Sequence, residues 1–379
     1  MKFATRLIHY DVSPKDPFGP MSTPIYQTAT FEQEHADSFG EYDYTRSGNP
    51  TRRVLEDQIA ALEGGCRGFC FASGMAAIAT VTHLLQAGDE IVADWDLYGG
   101  ATRLFSEVMP RAGVSVRYVD ASDPANVASS ISEKTKMVYL ESPTNPLLRV
   151  IDLAAVAKVA RERGVLVCVD SSTMSPYLQN PLGLGADIVM HSATKFLSGH
   201  SDVMGGALVV KDEELARRIY FLQNAEGNAL SPFDCYLVLR GMKTLKLRMD
   251  AQQANAVRIA AFLAGHAKVS GVHYPGQATH PGYDVQMRQA RGGGAVLSFS
   301  VGSAAAAKSV AEKTELFKIA VSFGSVNSTI SVPLKMSHAS TPSALKETRG
   351  IAADLIRLSV GIEDGDELIA DLGAALDLI

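Results

Sequence analysis

Val165-Leu166-Val167-Cys168-Val169-Asp170 is an apolar run of the kind that makes a buried strand, and it ends in a carboxylate. Immediately before it, residues 153–163 place apolar side chains at helical spacing beside charged ones. Shortly after it, residues 187–190 form another short apolar run. The same alternation of β-branched runs with Ala-rich helical stretches extends back to Asn49, where residues 91–93, 114–119 and 137–141 read as strands. It also extends forward to 207–210. This pattern predicts an α/β fold, a mostly parallel sheet covered by helices. After about Gly241 it changes to long helices, a Gly-rich turn at 292–294 leading into 295–301, and closing strand and helix segments. A smaller α+β C-terminal domain is expected there. The chain therefore divides into an extended N-terminal arm (1–48), a large domain (49–241) and the C-terminal domain (242–379). The arm, punctuated by Pro14, Pro17, Pro20 and Pro24, shows no helical period and is expected to lie on another surface, such as a neighbouring subunit.

The 379 residues are 46% hydrophobic and 20% charged, which fits a folded globular protein with a large core. A formal charge of −6 supplies no basic field for nucleic acid or acidic lipid. No apolar run approaches the ~20 residues that cross a bilayer, and Met1-Lys2-Phe3-Ala4-Thr5-Arg6 lacks a secretory apolar core. A cytoplasmic protein is expected, without nucleic-acid or membrane partners. Cys66, Cys70, Cys168 and Cys235 are too sparse for a disulfide scaffold and read as buried thiols. Cys66 and Cys70 have the spacing of one helical face, yet no histidine lies nearby, so no metal is expected. Asn327-Ser328-Thr329 spells a glycosylation sequon that nothing else in the sequence supports.

The chemistry concentrates in His191-Ser192-Ala193-Thr194-Lys195-Phe196-Leu197-Ser198-Gly199-His200, just after a strand, where α/β sheets bind ligands. Lys195 reads either as a solvated surface charge or as an amine that forms a Schiff base. Ser192 and Thr194 are then hydroxyls for a phosphate. Asp170 suits a helix N-cap and equally suits the nitrogen of a pyridine ring, which its carboxylate would keep protonated. Phe69-Cys70-Phe71-Ala72-Ser73-Gly74-Met75-Ala76-Ala77 reads as strand, tight turn and helix, which points the N–H groups of Gly74 and Met75 at an anion. Tyr98, in Leu97-Tyr98-Gly99-Gly100, is either a packed core ring or one that stacks on a flat ligand. The loop Glu141-Ser142-Pro143-Thr144-Asn145-Pro146 is a turn fixed by two prolines, able to aim Asn145 inward. Arg357 lies inside the apolar run Leu355-Ile356-Arg357-Leu358-Ser359-Val360 and requires an anion, either an internal carboxylate or that of a substrate.

Together these segments resemble the Cys/Met-metabolism family of pyridoxal-phosphate enzymes, within the fold type I aminotransferase-like superfamily, over nearly the whole chain. The resemblance implies pyridoxal 5'-phosphate as cofactor, with Lys195 as the Schiff-base residue and Asp170 on the ring nitrogen. It also implies that Tyr98 stacks on the ring and that Gly74, Met75, Ser192 and Thr194 hold the phosphate. Asn145, Ser322 and Arg357 would hold the substrate carboxylate. Tyr44-Thr45-Arg46-Ser47-Gly48-Asn49-Pro50-Thr51 looks like the family segment that crosses a dimer interface, so Tyr44 and Arg46 would complete a neighbour's site in a homodimer or homotetramer.

Within the family, Met174-Ser175-Pro176, Val321-Ser322-Phe323-Gly324-Ser325-Val326 and Met336-Ser337-His338-Ala339-Ser340 resemble the cystathionine β-lyases, the plant type above all. Val321 stands where γ-lyases usually carry Glu, and Gly100 stands where methionine γ-lyases carry Cys. Both departures favour β-elimination of a sulfur amino acid, with Lys195 as base and Lys195, Tyr98 or Tyr44 as acid toward the leaving sulfur. Against this, Asp170-Ser171-Ser172 departs from the common Asp-Asn pattern, and Asn327-Ser328-Thr329 replaces the usual Lys/Glu-Ser-Leu. A γ-eliminating or γ-replacing relative therefore remains an alternative, with a non-catalytic cofactor-binding protein a more distant one.

Overall fold

A computed structural model describes residues 1–10, 16–336 and 350–379. Its large sheet has seven strands: β1 (Arg67–Phe71), β2 (Glu90–Asp94), β3 (Ser115–Val119), β4 (Thr135–Glu141), β5 (Leu166–Asp170), β6 (Ile188–Ser192) and β7 (Gly206–Val210). They are ordered β1-β7-β6-β5-β4-β2-β3. The pairings from β3 through β2, β4 and β5 to β6 are parallel, and β7 runs antiparallel to both of its neighbours. The opening run is β5, near the middle of the sheet. Its alternate side chains explain why it reads as continuously apolar: Val167 and Val169 pack into a core beneath the helix Leu153–Arg161, whereas Cys168 faces the opposite core with Tyr139 and Ile188. A parallel strand covered on both faces leaves no position for a solvated side chain.

The C-terminal ends of β4, β5 and β6 bring Glu141, Asp170 and Ser192 to one rim, the usual ligand edge of such a sheet. A second sheet contains β8 (Gly271–His273), β9 (Val296–Ser300), β10 (Lys318–Ile319), β11 (Thr329–Ser331) and β12 (Leu355–Ser359), ordered β10-β11-β12-β9-β8. It has its own core, built on Leu297, Phe299, Ile356 and Leu358. The helix Leu245–Ala264 packs against it. Arg357 lies on the central strand β12, which carries it to the rim of the large sheet.

Two expectations need correction. The arm is not wholly extended: Phe3–Ile8 forms a short helix (α1), and Leu7 is buried in the core of its own subunit. Arg6 Nη1 donates to the Ala61 carbonyl at 3.1 Å, and Gln58 Nε2 donates to the Arg6 carbonyl at 2.6 Å. Both contacts are on α2 (Pro50–Glu63), which opens with Asn49 accepting from the Thr51 N–H at 2.9 Å and closes at Gly64 with φ +74°. Leu7 and the flanking Phe3, which packs on Tyr177 at 5.3 Å between ring centres, seat six residues that are too few to show a period. The cysteines also differ: Cys70, Cys168 and Cys235 are buried but Cys66 is exposed, and Cys70 lies on β1, so Cys66 and Cys70 share no helical face. Residues 337–340 of the Met336–Ser340 segment, and Pro14 of the arm, lie outside the described residues.

Candidate active site

A cavity of ≈ 410 Å³ opens at the rim of the large sheet, and most of the residues singled out above meet in it. Gly74, Met75, Tyr98, Asn145, Asp170, Ser192, Thr194, Lys195, Ser322 and Arg357 all line it.

Lys195 follows β6 in a turn closed by its own N–H to the Ser192 carbonyl at 3.1 Å. Its Nζ donates to the Ser322 hydroxyl and lies 5.0 Å from the centre of the Phe323 ring. Burial, and next the nearby Arg357 charge, bring its pKa down to about 8, with Asp170 pulling the other way. A lysine held this way is a nucleophile near neutral pH, not a surface charge. The loop presenting Ser322 is strained at that residue, which has φ +79°, and Gly324 supplies the φ of +88° that follows without strain. A Cβ at Gly324 would come within 2.7 Å of the Phe196 backbone nitrogen, so this loop lies directly on the lysine turn.

Asp170 ends β5, and its Oδ1 accepts the Ser172 N–H at 2.9 Å, a local turn bond of the kind that a cap would make. The helix that follows begins only at Ser175, with Met174 at its cap position, so Asp170 closes a turn and is not a helix N-cap; its carboxyl lines the cavity. Burial pushes its pKa up, opposed by the bonds from Ser172. Glu141, paired with Asp170 across β4 and β5, is driven well above the usual carboxylate range, first by burial and then by Asp170 itself. Two buried acids side by side do not both ionise readily. Glu141 Oε2 accepts the Tyr98 N–H at 2.8 Å and so fixes the backbone of the ring-bearing residue.

Tyr98 is half-exposed and begins the helix Gly99–Arg103. Its ring lies over Gly100, where a Cβ would meet Tyr98 Cε1 at 2.4 Å and Met75 Sδ at 2.9 Å. Gly100 is therefore needed for the ring's position, a role its sequence context did not reveal.

Opposite the sheet, Gly74 and Met75 are the first residues of α3 (Gly74–Thr82), capped by Ser73 Oγ accepting from the Ala76 N–H at 3.0 Å. First-turn N–H groups have no partner within their helix and point at the cavity. The turn sits close on the sheet because β7 begins with Gly206, where a Cβ would be 2.3 Å from the Ser73 carbonyl oxygen. The Ser192 N–H donates to Ser172 Oγ at 2.6 Å, and Thr194 Oγ1 accepts the Gly205 N–H at 2.9 Å, which locks the hydroxyl-bearing segment in place.

Arg357 is buried, and among the described residues neither of its hydrogen bonds goes to a carboxylate. Its Nη1 donates to Asn145 Oδ1 at 3.0 Å and its Nη2 to the Ser322 carbonyl at 2.6 Å. Its Nε has no hydrogen-bond partner among the described residues, and burial pulls its pKa down to about 10. No internal salt bridge holds it among the described residues, and a buried fork with an unmet donor fits an incoming carboxylate.

The structure does not bring Tyr44 and Arg46 to this cavity. They line a separate one of ≈ 790 Å³ with Gln27, Arg52 and Gly227, and both are exposed. Two residues that reasoning from the sequence passed over, Glu141 and Phe323, line the first cavity. Glu141 stood in view at a strand end, but only three-dimensional pairing with Asp170 reveals its electrostatics.

A largely buried amine, a carboxyl in the same cavity, a half-exposed ring and a helix N-terminus fit what pyridoxal 5'-phosphate requires. Fold and site together define a fold type I pyridoxal-phosphate enzyme. Residues 4–377 match the Cys/Met metabolism PLP-dependent enzymes, and the chain belongs to that family. It is 55% identical over 372 residues to the chloroplastic cystathionine beta-lyase of Arabidopsis thaliana, covering 98% of this chain and 80% of that protein. It is 45% identical over 379 residues to the cystathionine gamma-lyase of Bacillus subtilis, covering 100% of each. Among solved structures, cystathionine gamma-lyase from Lactobacillus plantarum complexed with L-serine superposes with a TM-score of 0.97 at 44% identity, covering 100% of this chain and 99% of that one.

Proposed function

We propose that the protein is a carbon–sulfur β-lyase that cleaves cystathionine to homocysteine, pyruvate and ammonia. The observation that carries this reading is the largely buried Lys195 amine, which shares one cavity with the Asp170 carboxyl and the open Arg357 fork. Pyridoxal 5'-phosphate, once bound, contributes an aldehyde that condenses with amines and a ring that accepts the electron pair released at the substrate Cα. The N–H groups of Gly74 and Met75 and the hydroxyls of Ser192 and Thr194 would hold its phosphate. Asp170 would keep a proton at its ring nitrogen. Tyr98 would cover one face of the ring.

Arg357, steadied by Asn145 and the Ser322 carbonyl, grips the substrate carboxylate and sets the Cα–H toward Lys195. Lys195 Nζ, with a substantial neutral fraction near pH 8, takes the Cα proton. The Cβ–S bond then breaks with its electron pair leaving on sulfur, which accepts a proton from Lys195 Nζ or the Tyr98 hydroxyl. The remaining three-carbon fragment takes up water and leaves as pyruvate and ammonia. Elimination at Cγ would require a further proton transfer at Cβ, and the position beside Ser322 that would serve it is Val321, an apolar side chain at the cavity mouth.

The exposed Tyr44 and Arg46 support a dimer in which each chain completes its partner's phosphate site, Tyr44 also standing as a second candidate acid. Pairing of such dimers into a homotetramer is part of the same proposal. Incubation with L-cystathionine and mass spectrometry of the products tests the function: homocysteine with pyruvate is expected. Cysteine with 2-oxobutyrate would make it a γ-lyase, and cofactor binding without turnover would leave only a binding protein.

A further inference from the structure

Tyr44 and Arg46 sit on an exposed turn, with the Arg46 guanidinium 5.4 Å from the centre of the Tyr44 ring. A turn that presents functional side chains outward has to be held from beneath. Beneath this one is Arg52, on the first turns of α2 and only 2% exposed. Its Nη2 donates to the Arg46 carbonyl at 3.2 Å, and its Nε lies 3.6 Å from Glu56 Oε1. Glu56 Oε1 accepts the Cys70 N–H at 2.9 Å, and Gln223 Nε2 donates to the Cys70 carbonyl at 2.9 Å.

Cys70 belongs to β1, the strand that runs into the Ser73–Gly74 turn of the chain's own cavity. The network thus ties the exposed turn to the frame of the phosphate site. Other bonds close the same turn: Asn49 Nδ2 donates to Thr45 Oγ1 at 3.1 Å, and Ser47 Oγ to Asn224 Oδ1 at 3.3 Å. Gly227, with φ +69°, lies under Arg46, where a Cβ would approach Arg46 Cδ to 3.5 Å. A buried guanidinium and carboxylate cost desolvation that apolar residues of similar size would not. Their bonds go to the turn and to β1, which is where the return must lie.

We propose that Arg52, braced by Glu56, is the positioning residue that fixes the Tyr44–Arg46 turn for insertion into the partner subunit's cofactor site. The proposal rests on the shared-site reading given above. Arg52 touches neither substrate nor cofactor in its own cavity, so its effect appears in the other subunit.

Hybrid dimers separate this role from a merely structural one. Apo-protein is loaded with graded pyridoxal 5'-phosphate and reduced with borohydride, and cofactor attached at Lys195 is counted chain by chain by mass spectrometry, without turnover. The Arg52→Gln homodimer is expected to need about tenfold more cofactor for half-labelling, the loss of one charged hydrogen bond. In a hybrid with a Lys195→Ala chain, the Arg52→Gln chain receives an intact turn from its partner, and its labelling should return to the wild-type concentration. A hybrid that labels as weakly as the homodimer places the effect of Arg52 within its own subunit and overturns the proposal, as does a homodimer that loads normally. Arg46→Ala, run through the same hybrid, tests the underlying reading: if it is not rescued there, shared sites are wrong and this proposal goes with them. If Arg46→Ala is rescued and Arg52→Gln is not, only the proposal fails. Should Arg52→Gln not fold, Arg52→Lys, which keeps a charge beside Glu56 but loses the fork, carries the same test with the same outcomes.

Discussion

Replacing Arg357 by Gln should change the protonation of Lys195 in the apo-protein, because the guanidinium is the second cause, after burial, of that lysine's lowered pKa. With a pKa of about 8, roughly a quarter of the Lys195 side chains are neutral at pH 7.5. A lysine at the ordinary 10.5 would be about 0.1% neutral there, so burial and Arg357 together raise the reactive fraction some two-hundred-fold. Arg357→Gln removes the like charge and leaves the Asp170 attraction, so the midpoint must rise toward 10.5, and the neutral fraction at pH 7.5 must fall. A shift of one unit would cost about tenfold in that fraction. Limited modification of apo-protein by a small aldehyde with cyanoborohydride, at a series of pH values, reads the midpoint at the Lys195 peptide. Surface lysines in the same digest serve as internal standards. A wild-type midpoint matching those surface lysines, or an unmoved or lowered midpoint in Arg357→Gln, would refute the electrostatic account of the site.

Lys195→Ala should abolish turnover, since the anchor and the main base vanish together, and near-normal turnover would sink the mechanism. Gly100→Ala places a methyl where the Tyr98 ring lies, so cofactor affinity should drop about three- to tenfold, the value of a ring stack. Its apo-protein melting temperature should stay close to wild type, because Tyr98 is half-exposed; unchanged affinity, measured by cofactor titration, would show that the ring has no such role. Glu141→Gln should keep kcat/KM within about threefold, because burial already favours the neutral acid and the amide oxygen still accepts the Tyr98 N–H. Glu141→Ala should lose about tenfold through the unheld ring, and a Gln variant as damaged as the Ala one would mean that Glu141 acts ionised. The depressed Lys195 pKa also affects apo-protein stability. Between pH 8 and 10.5 the unfolded chain binds the proton and the folded one does not, so this residue's contribution to stability rises with pH across that window. Chemical denaturation of wild type against Lys195→Met should show that difference: wild-type stability relative to Lys195→Met is expected to fall as pH goes from 10 to 8, and a difference that does not change with pH would refute the depressed pKa.

Much of this site was legible because its residues lie at strand ends, where the sequence marks them: Asp170 closes an apolar run, Lys195 follows one, and Gly74 opens a helix. A strand covered on both faces tolerates no polar residue in its interior, so a polar residue at its end draws attention, and the parallel topology gathers those ends at one rim. Arg357 could be read for the same reason, a charge in an apolar run, yet only the family resemblance grouped it with Asn145 and Ser322, because Asn145 lies 212 residues away. What stayed hidden depends on distance in space. The pairing of Glu141 with Asp170 is a register between β4 and β5, and the need for Gly100 is a clearance beneath one ring. Arg52 carries no mark in the sequence, because what it holds is a carbonyl six positions earlier. The arm misled for a related reason: its prolines report where it bends, but Leu7, with Phe3 beside it and Arg6 bonded to α2, makes its first turn pack at home. Strand ends announce the chemical groups, whereas the residues that orient them are recognisable only by what they touch. Glu141→Ala, Gly100→Ala and Arg52→Gln should therefore alter cofactor affinity or rate while leaving Lys195, Asp170 and Arg357 themselves in place.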